Sequence, residues 1–132
     1  MFRKTSQFIL SLAVVLIAAG CGNDNPLAPF EPEIVTDADA FQFQITDAKD
    51  VTVTRSYVWS NAAGSATIDH STSLTDGSAT VVILDGDGKE VYRSTLKASG
   101  LDQSDTGTAG NWTVQVVFLG FDGTANFRVE QL

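Results

Sequence analysis

Cysteine and histidine are nearly missing from this chain: each occurs once, as Cys21 and His70. A single cysteine excludes an intramolecular disulfide, and one histidine beside one cysteine falls short of a zinc ligand set. Basic residues are scarce as well, 8 against 16 acidic ones, for a formal net charge of −8. That balance argues against nucleic acid and against electrostatic adhesion to anionic lipid headgroups, which both need a positive surface. The three prolines all fall between positions 26 and 32. Beyond residue 21 no stretch sustains a 3.6-residue apolar period with caps, which leaves almost no place for a helix.

A long, largely apolar run occurs once, from Phe8 to Ala19, with Arg3 and Lys4 before it and Ala18-Ala19-Gly20-Cys21 at its end. A charged start, a short apolar core and small residues at the junction are the parts of a secretory signal. Taken alone, these parts also allow an ordinary cleaved signal or an uncleaved anchor helix. The last four residues resemble the lipobox of bacterial lipoproteins, departing from it at Ala18, where the family prefers Leu. The resemblance implies a diacylglyceryl group on the Cys21 thiol and cleavage immediately before it, so that Cys21 opens the mature chain. It further implies a cell-envelope location, held to the membrane by the lipid. Gly22 in place of Asp is similar to lipoproteins passed on to the outer membrane in hosts with two membranes. Loss of residues 1–20 leaves 6 basic residues against 16 acidic ones, a formal charge of −10. Residues 21–38, with every proline and no period of either kind, are expected to form an extended tether.

From residue 39 to 132 apolar and polar residues alternate between Gly, Asp and Asn. Phe41, Phe43 and Ile45 share one face, and Val51, Val53, Tyr57 and Trp59 continue the pattern after a break. Ala66–Asp69 is a shorter candidate. Ala79–Leu84 is apolar on both faces apart from Thr80, which predicts a central strand covered on both sides. Asp85-Gly86-Asp87-Gly88 is a hairpin signal before the extended run Lys89–Leu96. In the last segment Trp112, Val114, Val116 and Phe118 share a face, Asp122-Gly123 predicts a turn, and Phe127 and Val129 share a face beyond it. About seven short strands with Gly/Asp turns predict an all-β fold, a single antiparallel β-sandwich of immunoglobulin-like or jelly-roll-like type. The pattern Gly110-x-Trp112-x-Val114-x-Val116 followed by Gly123-x-x-x-Phe127-x-Val129 is similar to the last two strands of bacterial pre-peptidase C-terminal domains. That resemblance covers about a quarter of the chain and implies a non-catalytic accessory sandwich.

Motifs for chemistry are few. His70 lies between Asp69 and Ser71, but neighbouring strand residues point to opposite faces, so the three do not form a triad. His70 is expected on a solvent-facing strand or loop, and no nucleophile-elbow motif supports a hydrolase. Asp85 and Asp87 share a turn and Asp102 and Asp105 share a loop, which makes them calcium candidates by residue type. Asp-Gly pairs serve hairpin turns equally well, and the spacing is not that of an EF-hand. Trp112 reads as core. Trp59 shares its strand parity with Arg55 as well as with Val51 and Val53. Arg55, Tyr57 and Trp59 therefore either form an exposed aromatic edge beside a cation, the candidate ligand or partner edge, or pack with only the Arg55 head in water.

The combined expectation is a lipid-anchored envelope protein whose sandwich is a non-catalytic binding or interaction module for an envelope protein or glycan. No cofactor is expected apart from the calcium candidates. The alternatives are an accessory or unrecognised hydrolase using loop carboxylates, and a structural envelope component.

Overall fold

The computed structural model describes residues 25–132. Six strands follow one another: β1 (Glu33–Thr36), β2 (Ala40–Asn61), β3 (Ala66–Leu84), β4 (Glu90–Thr95), β5 (Gly100–Gln103) and β6 (Gly110–Gln131). All pair antiparallel in the order β1-β2-β6-β3-β4, with β5 added to β3. The alternation in the sequence accounts for β2, β4, β6 and the two ends of β3, where inward positions are apolar and buried while the residues between them face water; β1 and β5 bury no residue and are held by edge pairing on β2 and β3.

Three strands are far longer than the runs that announce them. β2, β3 and β6 each bend midway and pass through both layers of a sandwich. The register of β2 on β6 slips between Ile45 and Val53, and that of β3 on β6 slips between Leu74 and Ser78. Asp47 and Asp50 take left-handed backbone angles in the bend, both with φ of 50°. Extra residues of this kind bend a strand and sharpen its twist. Gly77 (φ 74°) crosses so close to Gly120 that a side chain there would strike the Gly120 carbonyl, and Gly123 (φ 151°) lies equally close to the Ser73 carbonyl. The residues read as a turn at Asp122-Gly123 are thus a bend inside β6, not a hairpin. The seven expected strands become six because close backbone packing at the bends lets the chain continue without reversing.

The first layer consists of β1, Ala40–Ile45 of β2, the end of β6, Ala66–Leu74 of β3, and β5. The second consists of Val53–Asn61 of β2, Gly110–Phe118 of β6, Ser78–Leu84 of β3, and β4. Aromatic rings join the layers: Phe43 lies 6.0 Å from Phe118, and Phe41 lies 5.4 Å from Tyr57, between ring centroids. Trp59 and Trp112, opposite each other in register, meet edge to face at 6.3 Å. Ala79–Leu84 is central in its layer, yet only one of its faces meets the core. On the other face Val82 is buried, while Thr80 and Leu84 remain half-buried.

The run expected to be a tether is, from Asn25 on, part of the folded body. A 3-10 turn at Ala28–Phe30 buries Leu27, and β1 then pairs with Phe41–Gln44. The apolar residue at position 27 and the pairing of Glu33–Thr36 with the edge of β2 dock this segment, although β1 itself stays exposed.

Candidate functional site

The expected edge at Arg55, Tyr57 and Trp59 does not present aromatic rings to solvent. Trp59 is fully buried, its indole N–H donating to the Asp37 carbonyl at 3.2 Å. Tyr57 is half-buried against Phe41 and Phe43, and burial raises its hydroxyl pKa against the opposing pull of Arg55. Arg55 lies at the margin, where its Nη2 donates to Asn25 Oδ1 at 2.8 Å. The parity that placed Arg55 beside Val53 is therefore real. The Asn25–Glu31 segment resolves it by closing over this side of the sandwich. Cys21 lies outside the described residues.

His70 corrects a second expectation. It shares the inward parity of Ala66 and Ile68, and its side chain is only 10% exposed. Its Nδ1 meets the Ala98 carbonyl at 3.1 Å and its Nε2 meets Asp102 Oδ2 at 3.3 Å. Tyr92 donates to the same carboxylate oxygen at 2.6 Å. Gly100, paired opposite His70, makes room for the ring, since a β-carbon there would come within 2.9 Å of it. The three side chains thus tie β3, β5 and β4 together across the open side of the sandwich. The Tyr92 bond and then the His70 bond hold the Asp102 carboxyl below its ordinary pKa, while burial and the Asp102 bond push Tyr92 up to about 12. Both imidazole nitrogens are engaged by a carbonyl and a carboxylate, which is a structural arrangement and not a nucleophile–base pair.

The calcium candidates separate into two places. Asp85 is buried, and its Oδ1 accepts from the Asp87 and Lys89 N–H groups at 2.9 Å each, while its Oδ2 accepts from Thr108 N–H at 2.8 Å. These backbone donors, Thr108 first, lower its pKa. Asp87 accepts from the Thr108 hydroxyl at 2.9 Å. Asp85 therefore shapes the β3–β4 hairpin and fastens the loop before β6 to it. Asp102 is committed to Tyr92 and His70, and Asp105 is an exposed loop residue whose N–H donates to the Val91 carbonyl. Among the described residues no three His, Cys, Asp or Glu side chains come together as a metal-ligand group.

The arrangement best suited to a ligand lies elsewhere, on the outer face of the first layer. Pairing across β2, β6 and β3 aligns Gln42, Arg128 and Asp69 in one row and Gln44, Asn126 and Ser71 in the next. A depression of about 250 Å³ is lined by Gln42, Asp69, His70, Ser71, Asn126 and Arg128. Arg128 spans its floor, donating to Gln42 Oε1 at 3.4 Å and to Glu130 Oε2 at 3.2 Å. Farther along the same strands a second depression, about 310 Å³, is lined by residues that include Asp47, Ser73, Asp122 and Thr124. Together they form a polar track from Arg128 to the bend. Amide, guanidinium, hydroxyl and carboxylate groups side by side offer adjacent donors and acceptors. Sequence reasoning passed over these residues because outward polar positions look alike until the register shows which of them are neighbours.

No family model matches this sequence, and no curated protein does. Among solved structures, the chain is similar to the carbohydrate-binding module TmCBM61 in complex with β-1,4-galactotriose, at 16% identity and a TM-score of 0.39, over 71% of this chain and 62% of that one. It is similar to a CBM4 carbohydrate-binding module at 11% identity and a TM-score of 0.42, over 83% of this chain and 90% of that one. It is also similar to the capsular polysaccharide assembling protein CapF from Staphylococcus aureus, at 9% identity and a TM-score of 0.32, over 78% of this chain and 29% of that one.

Proposed function

We propose that this chain is a non-catalytic binding module of the bacterial cell envelope, held to the membrane by acyl chains on Cys21, and that it binds a neutral glycan along the outer face of its first layer. The observation that carries the ligand reading is the pair of in-register rows, Gln42–Arg128–Asp69 and Gln44–Asn126–Ser71. Planar groups with fixed donor and acceptor pairs suit the adjacent hydroxyls of a sugar, and the track along β6 suits a linear chain. The acidic excess disfavours an anionic polymer. Calorimetric titration with a panel of neutral oligosaccharides tests the reading. Asn126→Ala and Arg128→Ala should each weaken binding at least tenfold, while Ser56→Ala on the other layer leaves it unchanged. Equal affinity in all variants overturns it. Intact mass of membrane-extracted protein tests the anchor: residues 21–132 plus acyl chains are expected, and the added mass should disappear in Cys21→Ala.

A further inference from the structure

The outer face of the second layer is built differently from the rest of this acidic molecule. The outward positions on β2 are Thr52, Thr54, Ser56, Val58 and Ser60, and those on β6 are Asn111, Thr113, Gln115, Val117 and Leu119. On β3 they are Ser78, Thr80, Val82 and Leu84. Among the described residues, no Asp or Glu occupies an outward position on β2, β6 or β3 of this layer. The first layer carries Asp69, Arg128 and Glu130 on its outer face, and the bend carries Asp47, Asp50, Asp76 and Asp122. Two charged side chains stand in register with the uncharged rows, both on the β4 edge: Arg93 opposite Val82 and Glu90 opposite Leu84, paired with each other at 2.9 Å. Val58 and Leu119 are 63% and 57% exposed on this same face.

A sheet face depleted of charge has the composition of an interface core, where charged residues are few. Its chemistry also indicates the partner. Thr and Ser hydroxyls and the Gln115 amide each donate and accept, so a surface made of them is complementary to itself. Net negative charge makes two copies repel, and this face lets them meet with their carboxylates held at the perimeter or beyond. Nine residues of β2 by four strands give an area about 30 Å long and about 19 Å wide. With its side-chain relief and rim, that approaches the roughly 800 Å² that each partner gives to a standard interface.

We propose that the second layer's outer face is a self-association surface on which two copies of this chain pack sheet against sheet. The pairing is isologous, so the row Thr54–Val117–Thr80 and the row Ser56–Gln115–Val82 lie near the centre in both copies. It leaves the first layer's polar track free at the two outer ends of the dimer.

Sedimentation velocity on the chain from residue 21 onward, carrying Cys21→Ala so that no acyl group drives association, tests this. A concentration-dependent dimer is expected. Gln115→Glu, which keeps the side chain's size and places facing carboxylates at the centre, should weaken it at least tenfold. Gln44→Glu, the same change on the other layer, should leave it unchanged. Because Gln115 is half-exposed, a melting curve like that of the parent chain confirms that the variant folds, and Val58→Lys serves as a second probe. A monomer at about 100 µM, or a dimer indifferent to Gln115→Glu and Val58→Lys, overturns the proposal. So does a monomer that binds a neutral polysaccharide through this face. Glycan titration of the Gln115→Glu chain reads the first layer's site separately, so the two readings fail independently.

Discussion

Single side chains in this protein decide how its loops and edges are fastened. Asp85 is the plainest case, since one buried carboxylate accepts from three backbone N–H groups on two segments. Those donors favour the ionised form and depress its folded pKa below the ordinary 3.8. A group depressed in this way contributes stability that is fully present above its unfolded pKa and is lost as pH falls through the folded value. Chemical denaturation should therefore show stability falling below about pH 4, with Asp85 contributing to the slope. Asp85→Ala should lower the melting temperature by several degrees at pH 7 and flatten that acid dependence. A variant that melts like the parent at pH 7 would remove Asp85 from this role. Tyr92 acts at the opposite end of the scale. Its pKa is raised from 10.0 to about 12, so the neutral hydroxyl stabilises the fold below pH 10, and that contribution disappears as pH rises through about 12. Alkaline titration followed by circular dichroism should show a loss of stability across this window that is smaller in Tyr92→Phe, which is weaker at pH 7 by about 1 kcal/mol for its missing hydrogen bond.

At the scale of elements, the bends distinguish this sandwich from a set of separate strands. Gly123 sits where β6 passes the Ser73 carbonyl, and its φ of 151° belongs to a region that side-chain-bearing residues rarely enter. Gly123→Ala should destabilise the fold by at least 1–3 kcal/mol, the usual cost of strained backbone, with steric displacement of β3 in addition. A thermal melt within a degree of the parent would mean that the bend is more compliant than its packing implies. The strand pattern itself was legible: Phe41, Phe43, Ile45, Trp112, Val114, Val116, Phe127 and Val129 are all buried, as their alternation requires. The hairpin at Asp85–Gly88 was legible for the same reason, because local turn chemistry specifies it. The joining of runs into long bent strands was not. A Gly/Asp pair serves a reversal and a bend equally well, and only the close approach of two other backbones selects the bend. His70 was misjudged on similar grounds, since nothing near it in sequence reveals Gly100, Asp102 and Tyr92. The polar track escaped notice because it depends on register between strands up to 86 residues apart.

For the whole molecule, the placement of β6 has a consequence for folding. It is the last strand in the chain, yet it lies between β2 and β3 in both layers. Without it β2 and β3 lose their common partner, and Phe118, Phe121, Phe127 and Trp112 leave the core together. A chain ending at residue 109 would retain β1 on β2, and β4 and β5 on β3, as two separate ribbons with no shared aromatic layer. Ribbons of two or three strands without such a layer are marginal in water. Far-UV circular dichroism and amide exchange on this shortened chain should show no cooperative transition and no protected amides; a cooperative melt would show that β2 and β3 pair without β6. Pairings this distant in sequence also make folding slow, on the order of milliseconds to seconds for all-β domains. If the N-terminal signal operates as proposed, the two properties suit each other. The chain cannot close its core until its last strand has emerged, so it stays extended while it is threaded across a membrane and folds only on the far side. A stop codon after residue 109 in the exporting host should then yield a chain that is exported and lipidated as before but rapidly degraded; full-length abundance of the shortened protein would separate folding from β6.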